Sequence, residues 1–250
     1  YRWIRGDWQI ARWLLPRVPD LEGRQRKNPL SGLSLWKLFD NLRRSLVPAA
    51  VTLLFVLGWT LLSSPLLWTL AVLGIILLPS VVTSLVGLLE KPGDARWSQH
   101  LAMMGRSAGR HLEQAAFEIV CLPYEAFFSL DAMVRTLWRM GVSHQRLLEW
   151  TSSGDLNRTR LGLIATYRMM GIAPALAIVT ALVLWALQPG ALAVAGPILV
   201  LWLASPAVAW WMSRPLTRRE ARLTADQTRF LRTASRRTWA FFETFVGPED

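Results

Sequence analysis

From Val47 to Leu89 the chain runs forty-three residues without an Asp, Glu, Lys or Arg. As one continuous helix that block would reach about 65 Å, roughly twice the hydrocarbon core of a bilayer, so it must fold back once. Ser63, Ser64 and Pro65 mark the bend, because proline cannot continue a helix and the hydroxyls can serve the backbone groups freed there. Two buried helices of a large soluble core are the plainer reading. Soluble helices rarely stay uncharged for so long, however, and Trp59 and Trp68 flank the bend as interfacial anchors would. Met169 to Ser213 repeats the design over forty-five charge-free residues, with Gln188, Pro189 and Gly190 as its bend. The expected fold is an all-α membrane protein with two transmembrane helical hairpins (four spans) and amphipathic interfacial and cytoplasmic helices between and around them.

A net charge of +11 invites a nucleic-acid reading, but the placement of the charge argues against it. Residues 1–46 carry ten Lys or Arg, residues 90–168 ten and residues 214–250 eight, which accounts for all twenty-eight; the two bends carry none. That is the positive-inside pattern, which puts both termini and the central segment on the cytoplasmic side and the bends outside. The same cations suit anionic lipid head groups. A nucleic-acid surface would gather them on one face among stacking aromatics, so no nucleic-acid partner is expected. Cys121 is the single cysteine, which excludes an internal disulfide and suits plain helix filling in a reducing compartment. The chain opens at Tyr1 without an initiator Met and is expected to be an excerpt of something longer. Its first apolar run is too long for a signal-peptide core, so no cleaved targeting segment is expected.

The stretch Tyr1 to Trp13 holds three Trp and three Arg. Indole faces stack on the apolar faces of sugar rings, and guanidinium forks match phosphate oxygens in pairs. Both residue types also crowd membrane interfaces for purely structural reasons. The run Arg2-Trp3-Ile4-Arg5-Gly6-Asp7-Trp8-Gln9-Ile10 resembles the region around the Q-x-x-R-W motif of processive membrane glycosyltransferases such as cellulose synthase, where Gly follows three residues after Arg-Trp and Gln six after. On that register Arg2 and Trp3 end the motif, and Gly6 and Gln9 match its sequel. Gln9-Ile10-Ala11-Arg12-Trp13 also spells Q-x-x-R-W, which makes Arg12 and Trp13 a second register. The resemblance implies that Trp3 stacks on the acceptor sugar and that Arg2 helps to hold the nucleotide diphosphate.

Pro16, Pro19, Arg24, Arg26, Lys27 and Pro29 leave no helical stripe between Leu14 and Ser31. Ser34 can cap a helix with Leu35, Leu38, Phe39, Leu42 and Leu46 on one face and Lys37, Asp40, Asn41 and Arg44 on the other, expected to lie in the membrane surface. In 90–168, a long helix with Trp97, Leu101, Met104, Ala108, Leu112, Ala115 and Ile119 in one stripe is expected to break at Pro123. A second helix then carries Phe127, Leu130, Val134, Leu137 and Trp138, with Asp131 and Arg135 as an i,i+4 pair. A shorter one holds Leu147, Leu148 and Trp150 and stops at Gly154-Asp155. These helices are expected to brace the hairpins. His100, His111 and His144 match no metal-ligand spacing. No charge lies within the later spans, so they lack the usual carrier for proton or ion coupling. Trp210 and Trp211 close the last span, and a helix near Ala225 to Val246 carries Phe on one side and Arg on the other.

Further stretches sharpen the resemblance: Asn28-Pro29-Leu30-Ser31, Trp36 to Leu46, Leu122-Pro123-Tyr124-Glu125-Ala126, Arg135 to Met140, Leu148-Glu149-Trp150-Thr151 and Arg236-Arg237-Thr238-Trp239. Together they resemble cyclic β-1,2-glucan synthases, large multi-pass proteins of the bacterial inner membrane. That resemblance implies a UDP-glucose-dependent glucosyltransferase domain before this region and a glycoside-phosphorylase-like domain after it, both cytoplasmic. Residues 1–31 would then end the transferase domain and its linker, followed by an interfacial helix (32–46), the first hairpin (47–89), a cytoplasmic helical segment (90–168), the second hairpin (169–213) and a helix leading to the next domain (214–250). The implied divalent metal, Mg or Mn, belongs to the upstream domain with its Asp-x-Asp motif and base; no Asp-x-Asp occurs here, and the excerpt alone is expected to be inactive. Membrane lipid, UDP-glucose and the glucan chain are the implied partners. The competing reading is a transporter or a non-catalytic membrane scaffold.

Overall fold

The computed structural model describes residues 2–19, 23–90, 96–145, 162–214 and 223–247. The shorter helix expected around Leu147 to Trp150 lies outside them. Two compact units make up the chain, 1–213 and 214–250.

In the first unit, α1 (Arg2–Gln9) leads through a 3-10 turn (Ala11–Leu14) into an antiparallel pair, β1 (Arg17–Pro19) and β2 (Gln25–Lys27), with Val18 opposite Arg26. The stretch read as plain linker is therefore a small hairpin. Asn28 secures its base: the Nδ2 donates to the carbonyls of Trp13 (2.6 Å) and Leu15 (3.0 Å), and the Oδ1 accepts from the Leu30 N–H (2.9 Å). The cap of the next helix, α2 (Gly32–Thr60), is Ser31 rather than Ser34; its Oγ accepts from the Ser34 N–H at 3.2 Å. That helix runs through Pro48 without a break, so the surface helix expected over 32–46 and the first apolar segment are one element.

The break after α2 falls at the serines, where Ser64 takes a left-handed conformation (φ 71°) and Pro65 opens α3 (Pro65–Leu89). Proline suits that first position because its missing N–H has no helical partner to lose. A single helix, α4 (Trp97–Trp138), follows, about 63 Å long. It packs against α1, α2, α3 and both later apolar helices, so it is part of the same bundle. After α5 (Leu163–Met169), α6 (Ile172–Leu187) and α7 (Leu192–Met212) are separated at Gln188 and Pro189, as the sequence leads one to expect.

Pro123 does not interrupt α4. A proline removes the N–H that would pair with the carbonyl four residues earlier, here Ile119. The indole Nε1 of Trp202 in α7 donates to that carbonyl at 3.0 Å. The same substitution of partners recurs within α7, where Pro206 deprives the Trp202 carbonyl and the Ser205 Oγ donates to it at 2.8 Å. Trp202 sits in the core with Phe55 and Trp59, all three fully buried, with ring centroids 5.1 to 6.0 Å apart. Trp59 is thus not an interfacial anchor; its N–H donates to the Thr69 Oγ1 at 2.8 Å and helps to hold α2 on α3.

Among the described residues, three helical stretches are long and apolar enough to cross a membrane: Gly32–Thr60, Pro65–Leu89 and Pro189–Met212. The third of the four expected spans differs. The 16 residues of α6 reach only about 24 Å against a core of about 30 Å, and α6 meets α5 at a bend of 68°. The count is four only if that bent pair is one span. Of these helices α3 is the least covered: Leu66, Leu70, Ile75, Leu78, Val82 and Leu85 all face outward. So large an apolar exterior suits lipid rather than water.

The second unit consists chiefly of α8 (Ala225–Phe245), opened by a capping box in which Thr224 and Gln227 exchange side-chain and backbone hydrogen bonds. Phe230, Leu231, Phe241, Phe242 and Phe245 fall on one side and Arg229, Arg232 and Arg236 on the other. Because no residue of this helix is buried, the cap matters more than usual to it. Thr224→Ala is expected to weaken the helix by about 1 kcal/mol. Amide hydrogen exchange over its first turns reads this; unchanged protection would count against the cap.

Candidate functional site

The candidate site is α1, and the elements beneath it fix its orientation. Trp8 and Ile4 are half-buried on the side facing α2 and α4. The Trp8 Nε1 donates to the Ser45 Oγ at 2.9 Å, and that hydroxyl in turn donates to the Leu42 carbonyl at 2.7 Å. Ser45 is buried and also touches the Met133 sulfur at 3.7 Å. The Asn41 Nδ2 donates to the Asp7 Oδ1 at 3.4 Å. Neither Ser45 nor Trp8 stood out in the sequence as a positioning residue. The available signal was that Leu38, Leu42 and Ser45 share one helical stripe, which makes the serine a polar group inside a packed face.

With that side docked, helical spacing brings Arg2, Gly6 and Gln9 onto one opposite face of α1, at i, i+4 and i+7. Arg2 and Gly6 are exposed, and Trp3 stands beside them 86% exposed. A Cβ on Gly6 would meet nothing within 4 Å. Glycine inside a helix costs about 0.5–1 kcal/mol relative to alanine, and no neighbour among the described residues asks for its small size. The result is a flat patch between a guanidinium and an amide, flanked by an open indole. Such a surface can offer paired donors to phosphate oxygens and an aromatic face to a sugar ring.

The second register is placed differently. Gln9 closes α1, whereas Arg12 and Trp13 lie on the 3-10 turn. Both are exposed, and the Trp13 backbone is held by Asn28.

No group of three His, Cys, Asp or Glu side chains gathers among the described residues in a way that could hold a metal. Among the described residues the implied divalent metal has no fitting donor set. His100 lies against the Leu88 carbonyl (3.2 Å) and His111 against Ser84 (3.3 Å), about three turns apart on α4 and on separate partners. Burial, with the Glu125 carboxylate adding to it, pushes the Cys121 thiol up to about 11, so it stays protonated at neutral pH. Asp131 and Arg135 form the expected i,i+4 pair at 2.7 Å.

Fold and site together define an all-α protein with a bundle of long apolar helices, of the kind that crosses membranes, and a Trp- and Arg-bearing helix docked on it. No family model matches the chain. Over its whole length it is 34% identical to part of the cyclic β-(1,2)-glucan synthase NdvB of Rhizobium meliloti (strain 1021), and it spans 9% of that protein's length. The similarity to a region of such a synthase is the one its motifs lead one to expect.

Proposed function

We propose that this chain is the membrane region of a UDP-glucose-dependent glucosyltransferase that makes cyclic β-1,2-glucan. It anchors the catalytic domain in the bacterial inner membrane, with both termini cytoplasmic, and contributes the end of the acceptor and diphosphate motif. The observation that carries this reading is the end-to-end identity with a region of a cyclic β-(1,2)-glucan synthase. The face shared by Arg2, Gly6 and Gln9 beside the exposed Trp3 supports it, and the positive-inside distribution of Lys and Arg supports the topology.

In this reading the indole of Trp3 stacks on the acceptor glucose and the Arg2 guanidinium pairs with diphosphate oxygens, so the leaving nucleotide is oriented away from the incoming hydroxyl. The base that takes the hydroxyl proton comes from the domain before residue 1. Trp3→Ala in the full-length protein is expected to lower glucan formation from UDP-glucose at least about tenfold, roughly 1.4 kcal/mol of lost transition-state stabilisation. Unchanged synthesis by a normally inserted variant would remove Trp3 from the site. If Trp13→Ala alone abolished synthesis, the second register would carry the motif.

A further inference from the structure

The two helices under α1 have a second, uncovered side. Residue 45 of α2 meets Met133 of α4, while Val51, Phe55 and Trp59 share a core with Ala115, Ile119 and Leu122. The helices therefore run antiparallel, and side chains offset the same way from each helix's buried stripe emerge on the same side of the pair. On one side lie Asn41 and Asp40 of α2 and Asp131 and Arg135 of α4, and here α1 docks through Asp7 and Trp8. On the other, α2 presents Phe39 and Leu46 and α4 presents Leu130, Val134 and Leu137, between 43% and 63% exposed, with Trp138 at the edge.

Two continuities identify the occupant. Along α2, Phe39, Leu46 and Leu53 form one stripe at seven-residue spacing, so the outer surface of the membrane-length helix extends unbroken toward its N-terminus. Along α4, the same stripe passes through Ile119 and Pro123, both buried, with α7 bonded to the Ile119 carbonyl. Where α7 no longer covers it, the stripe stays apolar and becomes exposed.

We propose that Phe39, Leu46, Leu130, Val134 and Leu137 face lipid, so that α2 and α4 enter the head-group region side by side, with α1 held on the opposite side of the pair. Because α2 continues unbroken into the apolar segment, the pair would hold the Arg2 and Trp3 surface at a fixed level relative to the membrane. The proposal rests on the membrane half of the reading above and is independent of its sugar-transfer half.

Depth measurement tests it. Full-length protein lacking other cysteines would carry Val134→Cys, Leu46→Cys or Lys37→Cys, each spin-labelled, in bilayers containing anionic lipid. Labels at 134 and 46 are expected to collide preferentially with molecular oxygen, and the label at 37, on the polar side, with a water-soluble nickel chelate. Nickel preference at 134, or shielding there from both reagents, would overturn the proposal. Dipolar coupling between labels at 134 on two copies would reassign the face to a dimer contact. None of these outcomes depends on glucan synthesis, so the Trp3→Ala assay stands or falls separately.

Discussion

Trp202→Ala is expected to destabilise the first unit by about 3–5 kcal/mol, the range for removing a fully buried large aromatic side chain. Two losses combine. The first is a cavity against Phe55 and Trp59, whose ring contacts with Trp202 close the core. If lipid surrounds the bundle, expulsion from water contributes little, and the cost is mainly lost packing. The second loss is the donor to the Ile119 carbonyl. Trp202→Phe separates them, keeping a ring but leaving that carbonyl unpaired, for about 1–3 kcal/mol.

The proline link makes a sharper test. Pro123→Ala restores a backbone N–H four residues beyond Ile119, so the carbonyl regains a partner within its own helix. In that background the penalty of Trp202→Phe is expected to shrink. Denaturation of the four proteins in micelles closes the double-mutant cycle. Effects that simply add, within about 0.3–0.5 kcal/mol, would show that the indole is not what lets α4 pass its proline.

Gly58→Val is expected to push α2 and α3 apart. A Cβ at Gly58 would stand 2.7 Å from the Cβ of Trp68, and neither atom can turn away because the backbone fixes both. The overpacking should cost at least about 1–3 kcal/mol. It should also disturb the nearby hydrogen bond from Trp59 to Thr69. Gly74, in α3, is the control: nothing lies within 4 Å of its missing Cβ. Gly74→Ala should therefore be neutral or stabilise by up to about 1 kcal/mol through helix propensity. Equal thermal shifts for Gly58→Val and Gly74→Ala would contradict the close approach.

The candidate site was legible as composition but not as geometry. Trp3 and Arg2 stood out because tryptophan and arginine are chemically distinctive. That Arg2, Gly6 and Gln9 share a face follows from a helix that eight residues would barely sustain alone. What holds it is the docking of Trp8 on Ser45, a contact across 37 residues. The packed side of α4 was not legible for a related reason. Phe127, Leu130 and Val134 have helical spacing, but Ala126, Ser129, Ala132, Met133 and Thr136 are the side that α2 and α1 cover. Close helix approach favours small residues, and the larger ones are left outside.

The sequence by itself determined where apolar helices run and where they turn. An uncharged block of forty-three residues has few places to go but a membrane or a large core, and Ser64-Pro65 and Gln188-Pro189 end helices through local backbone chemistry. Only the tertiary structure decided which prolines break a helix and which tryptophans face outward. Pro123 stays inside α4 because a side chain from α7 takes the hydrogen bond it forfeits, and Trp59 turns inward because Thr69 accepts its N–H. A hydrogen-bond partner supplied from a distant part of the chain cannot be read from local spacing, since it exists only once the helices have packed.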